Sequence, residues 1–134
     1  MGVPMRVEIR GLDCTLTHEP SGSQIRTTPP RDNGGDGSTF SPTDLLGASL
    51  AACALSTMAL VAAREGLTWG DASARVEKEM VGPPRRVGQL SLVITMPKQT
   101  RVEERARLEE IARGCPVARS LHPDVAAPMR FEYP

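Results

Sequence analysis

The sequence predicts an α+β fold, and three patterns predict it. Short segments of alternating polarity open the chain and return after residue 70. One long uncharged stretch lies between them, with helix-cap residues at both ends. The last third carries a charged amphipathic run, a glycine break and a final alternating segment. The order read from these is β-β-β-α-β-β-α-α-β, with strands and helices segregated rather than alternating as in a doubly wound sheet. At 134 residues the chain has the length of one domain, 1–134. A chain of this size can bury roughly 68% of its unfolded surface, enough for one core.

Each element follows from local chemistry. Val3–Arg10 sets Val7 and Ile9 against Arg6, Glu8 and Arg10, the pattern of a half-buried strand. Cys14–His18 and Gln24–Thr28 read as a hairpin around Pro20, Ser21 and Gly22. Residues 28–37, rich in Pro, Asn, Asp and Gly, form a loop long enough to be functional. Ser41 is a good N-cap, Pro42 suits the first helical position, and Asp44 completes a capping box. That helix runs to about Arg64–Gly66, where glycine ends it. From Leu45 to Ala63 it carries no charge, and about 20 apolar residues can span a bilayer. Its Ala, Ser, Thr and Gly content instead predicts a helix buried on all sides in a globular protein, without a membrane partner.

Ala72–Met80 and Val87–Met96 alternate as strands around a turn at 81–86, and Pro97 stops the second. Val102–Arg113 follows as an amphipathic helix with Val102, Ala106, Leu108 and Ile111 facing inward. Gly114 interrupts it, Pro116–Leu121 is a short helical stretch, and Val125–Tyr133 is the last strand.

Composition removes several function classes. Trp69, Tyr133, Phe40 and Phe131 are the only aromatics, so Leu, Val, Ile, Met and Ala must build the core. The 16 basic and 16 acidic residues cancel, and all the basic ones but Lys78 and Lys98 are arginine. Without a basic stripe or stacking residues, nucleic acid is a poor partner. Met1–Arg10 contains no apolar signal core, so a reducing, cytoplasmic setting is expected. Three cysteines, an odd number, argue against a disulfide scaffold.

Two of those cysteines stand in contexts that chemistry can use. Cys53 lies midway along the uncharged helix; alone, it reads as a small buried hydrophobe. Cys115 lies between Gly114 and Pro116, where a helix N-terminus favours thiolate; alone, it reads as a capping or packing residue. Together they point to a redox pair, and Cys14 is a bystander. Arg31, in the loop before the helix, can lower a thiol pKa and hold a peroxide oxygen, with Arg26 a competitor for that role. Asp44 can orient such an arginine, although the capping box already explains it. Nine residues of helix set Asp44 about 13 Å from Cys53 along the axis, so an arginine or a second chain must connect them.

The remaining motifs fail. His18 and His122 lack further ligands at metal-binding spacing. The glycine-rich stretch 32–37 resembles a calcium loop, but Gly34 and Thr43 occupy ligand positions. It fits neither a phosphate-binding loop nor a dinucleotide fingerprint, and no metal or cofactor is expected.

The stretch from Phe40 to Cys53, FSPTDLLGASLAAC, and the stretch from Gly114 to Pro123, GCPVARSLHP, resemble the OsmC/Ohr superfamily, the osmotically inducible and organic hydroperoxide resistance proteins. The resemblance covers nearly the whole chain, including strand residues 76–80 and 131–133, and is strongest to the short OsmC-like branch. It implies two antiparallel sheets wrapped around central helices in an intertwined homodimer. It also implies a thiol peroxidase in oxidative stress defence. Cys53 would attack an organic hydroperoxide, Cys115 would resolve the sulfenic acid as a disulfide, and a dithiol would reduce the pair. The family's activating arginine and glutamate have their nearest matches in Arg31 and in Asp44, which neighbours Thr43 at the usual glutamate position. Leu46, Leu50 and Met58 would form apolar walls that favour alkyl hydroperoxides. Two other functions fit the same residues. One is a non-catalytic OsmC-like protein that binds an apolar or electrophilic small molecule; the other is a structural dimer with inert cysteines.

Overall fold

The computed structural model describes residues 1–134. The elements are β1 (Met5–Arg10), β2 (Asp13–His18), β3 (Gln24–Thr27), α1 (Pro42–Glu65), β4 (Ser73–Val81), β5 (Arg86–Thr95), α2 (Arg105–Arg113), α3 (Pro116–Ser120) and β6 (Met129–Glu132). Short 3-10 turns occupy Arg31–Asn33 and Val102–Glu104. The α+β class and the element order are those the sequence predicts. The chain divides into two compact units, Met1–Leu45 and Leu46–Pro134.

The first unit is an antiparallel sheet in the order β1-β2-β3. Its register aligns Val7, Leu16 and Ile25 in one cross-strand row. Side chains alternate across a strand, so Met5, Val7 and Ile9 share that face while Arg6, Glu8 and Arg10 share the other. The apolar face is open: Met5 is 71% exposed, Val7 60% and Ile9 68%. The unit ends on the cap of α1. The Ser41 hydroxyl accepts from the Asp44 N–H at 3.0 Å, and the Asp44 carboxylate accepts from the Ser41 N–H at 2.8 Å. This is the reciprocal capping box the sequence predicts.

The second unit holds the core. Leu50, Ala54, Met58 and Ala62 recur every four residues along α1 and are fully buried. Leu90, Leu92 and Ile94 line the inner face of β5, and Met96 continues the row just past its end, all buried. Gly47 allows the helix to approach the sheet: a Cβ there would lie 3.2 Å from Leu90 and 3.4 Å from Val76. Burying a side chain of this size is worth about 1.5–3 kcal/mol, so this row supplies much of the unit's stability. Helix α1 ends as predicted at Gly66, whose φ of 71° lets the Leu67 N–H reach the Ala62 carbonyl at 2.9 Å.

Helix α2 packs Leu108, Ile111 and Ala112 inward. At its start the Glu104 carboxylate accepts from the Thr68 N–H at 2.9 Å. The Arg107 guanidinium grips the Glu65 carboxylate with two bonds of 3.0 and 2.6 Å. Beyond β6, the Tyr133 hydroxyl donates to Glu109 at 2.5 Å, while the Arg105 guanidinium stacks 4.0 Å from its ring centroid. Burial and the Glu109 carboxylate push the Tyr133 phenol well above its ordinary range.

Three expectations are corrected. The first sheet and the β4/β5 pair are antiparallel, but β6 runs parallel to β5, matching Leu92 with Met129 and Ile94 with Phe131. The α2 and α3 segment is a crossover that brings the chain back in the same direction. Helix α1 is long and apolar enough to cross a membrane by length and composition, yet it is not buried on all sides. One stripe packs on the core, and Ser49, Ala52, Ser56, Leu60 and Ala63 are exposed on the other. Small residues made both faces look equally suited to burial. Val102 and Ala106 do not face inward: Val102 is 70% exposed and Ala106 is exposed. The buried stripe of α2 is Leu108, Ile111 and Ala112, continuing to Cys115 at helical spacing.

Candidate active site

Cys53 and Cys115 both belong to the second unit, and each thiol shifts the acidity of the other. Both are free. Cys53 is half-buried in the middle of α1, packed against the core, and Cys115 is fully buried.

The backbone fixes Cys115 from both sides. Its N–H donates to the Ala112 carbonyl at 3.3 Å, and its carbonyl accepts from the Arg119 N–H at 3.0 Å. It precedes α3 with extended backbone, φ −63° and ψ 155°, and Pro116 takes the first helical position. The Arg119 side chain folds back to donate to the Gly114 carbonyl at 2.8 Å, closing the turn around the cysteine.

The two thiols are driven in opposite directions. Burial pushes the Cys53 thiol up, but the Val117 N–H, the Thr57 hydroxyl and the Cys115 thiol outweigh it, and the net direction is down. Cys115 moves up, because of burial first and of the neighbouring Cys53 next, with the Ala118 and Val117 N–H groups opposing. The arrangement therefore favours a thiolate on the partly exposed sulfur and a protonated thiol on the buried one. That is the order needed for an attacking thiol and a second thiol in reserve. No guanidinium of residues 46–134 is among the influences on Cys53. Hydrogen-bond donors do that work within this unit.

The other predicted site residues lie in the first unit. Arg31 starts the 3-10 turn and donates to the Asp36 carbonyl at 3.0 Å. Asp44 closes the capping box. Leu50 and Met58, expected as pocket walls, are 0% exposed and belong to the core; of the three walls, only Leu46 is partly accessible. They lie on the stripe of α1 that packs against the core. Thr57 was not anticipated. Its Oγ1 lies 3.7 Å from the Cys53 sulfur, and the i, i+4 spacing along one helix is the sequence signal that finds it.

Comparisons with known proteins bear on the family and the fold. The family model for OsmC-like protein matches residues 35–127. A solved structure from Psychrobacter arcticus, ascribed to osmotic stress induction and detoxification response, is 34% identical. It superposes with a TM-score of 0.91, covering 98% of this chain and 98% of that one. An organic hydroperoxide resistance protein from Legionella pneumophila is 19% identical with a TM-score of 0.81, covering 98% of this chain and 97% of that one. The organic hydroperoxide resistance protein of Bacillus subtilis is 17% identical with a TM-score of 0.73, covering 98% of both chains. These last two share the fold. Comparison with curated protein sequences finds no match. With the family model spanning most of its length and a full-length relative at this identity, the chain belongs to the OsmC-like protein family.

Proposed function

We propose that the protein is a thiol-dependent peroxidase that reduces organic hydroperoxides through Cys53 and Cys115. The observation that carries this reading is the pairing of two thiols with opposite acid tendencies, the exposed one lowered and the buried one raised. The names of the Legionella and Bacillus structures supply the substrate class.

The chemistry balances in three steps. The Cys53 thiolate attacks the distal oxygen of ROOH; the O–O bond breaks, the sulfur is oxidised to S–OH, and the RO⁻ group leaves as ROH after taking a proton. The Cys115 thiol then attacks the sulfenic sulfur, releasing water and forming the Cys53–Cys115 disulfide. A dithiol reductant exchanges with that disulfide, returns both thiols and is itself oxidised. A cycle closed by a dithiol reductant fits a reducing compartment, the cytoplasm. Arg31 and Asp44 enter as activating groups from the sequence alone. The working unit is a homodimer, a reading supported by the exposed apolar residues Met5, Val7, Ile9 and Ile25 of the first sheet.

Free-thiol titration after mixing with cumene hydroperoxide tests the proposal. Two of the three thiols per chain are lost, and mass spectrometry finds the 53–115 disulfide. Retention of all three thiols would exclude the peroxidase reading and favour a binding protein. Oxidation by cumene hydroperoxide is expected to outpace that by hydrogen peroxide, and the reverse order would refute the organic substrate class.

A further inference from the structure

The hydroxyl-bearing residues of α1 behave in two ways. Ser49 donates to the Leu46 carbonyl at 2.8 Å, and Ser56 donates to the Ala52 carbonyl at 2.8 Å. Both spend their hydroxyls on the preceding turn, the usual outcome in a helix interior. Thr57 does not. Its Oγ1 turns to the Cys53 sulfur at 3.7 Å, within the longer reach of sulfur, and this is its only hydrogen-bond partner. A threonine in a helix has a rotamer that reaches the carbonyl one turn back, so the orientation toward sulfur is a real alternative to that bond.

We propose that Thr57 is a catalytic residue of the Cys53 chemistry, its hydroxyl donating to the sulfur as thiolate and holding it for attack. This rests on the peroxidase reading and deepens it. With a protonated thiol either atom can donate. Once the thiol ionises, only the hydroxyl can, so the bond favours the charged form. The lowered pKa of Cys53, to which this hydroxyl contributes, agrees. In the first step the sulfur gives its electron pair to the distal peroxide oxygen, the O–O bond breaks, and the alkoxide takes a proton from solvent. Thr57 keeps its own proton and remains bonded to the sulfur throughout. A neutral donor one turn away thus does within the helix what a charged side chain does elsewhere.

The test is the pH profile of Cys53 alkylation by iodoacetamide, read at the Cys53 peptide in the full-length protein, for wild type, T57V and T57S. T57V keeps the shape and removes the donor. Its midpoint is expected to rise by about one pH unit, a roughly tenfold loss of reactivity at neutral pH. T57S keeps the wild-type midpoint. Circular dichroism and thermal melts confirm that the variants fold. A folded T57V with a wild-type profile would overturn the proposal, as would a T57S that follows T57V. The assay uses no peroxide, so the two ideas separate. Wild-type protein inert to cumene hydroperoxide, with the T57V shift intact, would refute the peroxidase reading and leave the thiolate donor standing.

Discussion

The two sheets are built from the same alternating pattern and meet opposite fates. In β4–β6 the inward row Leu90, Leu92 and Ile94 is covered, with exposures of 0–2%. In β1–β3 the row that starts at Val7 faces outward, Val7 at 60% and Ile25 at 53%. Alternation decides which residues share a face; it does not decide whether anything covers that face. The second sheet has its cover within its own unit, in α1 and α2. An apolar face left open on the first is the property of a surface that another molecule occupies.

That contrast can be broken or sharpened by substitution. The largest effect belongs to the covered row. Leu90→Ala leaves a cavity beneath α1 and costs about 3 kcal/mol in urea unfolding; a cost near zero would mean the row is not the core. Gly47→Leu forces a side chain into the 3.2 Å gap above Leu90 and destabilises by about 2 kcal/mol in the same experiment. On the open sheet, Val7→Ala costs under about 0.5 kcal/mol in dilute protein, as surface changes do. Its cost grows with protein concentration, because a cover supplied by a second copy stabilises by mass action. A penalty constant across a hundredfold dilution would remove the second copy from the account. The smallest difference is between the two thiols of the covered unit. The alkylation midpoint of Cys53 falls below that of the urea-unfolded chain, because its pKa is lowered, and that of Cys115 lies above it. The opposite order at the two peptides would contradict the assignment of attacking and resolving roles.

Much of this was legible in the sequence because it is local. The Ser41–Asp44 cap and the Gly66 stop are set by residues within a few positions of one another, and both helix ends fall where those residues put them. The β1 alternation needs only neighbours along the chain. What escaped is what depends on partners distant in sequence. The parallel docking of β6 is decided by where the crossover returns, which no pattern within Met129–Glu132 encodes. In the sequence Leu50 and Met58 read as pocket walls, because an apolar helix does not announce which stripe meets the sheet. Val102 reads as inward because the mixed run 102–113 admits more than one apolar stripe. At the candidate site the two cysteines stand out by their contexts, while Thr57 does not, because threonine in a helix is usually silent.

The parallel strand β6 has a consequence for the order of assembly. Cys115 sits inside the loop of chain that β5 and β6 close, and that closure joins segments far apart in sequence. Such long-range pairings form late, since their loop entropy is lost before any contact returns it. The encounter of the two sulfurs therefore belongs to the final stage of refolding. A nascent or partly assembled chain would carry Cys53 without its companion, open to exchange with whichever foreign disulfide it meets first.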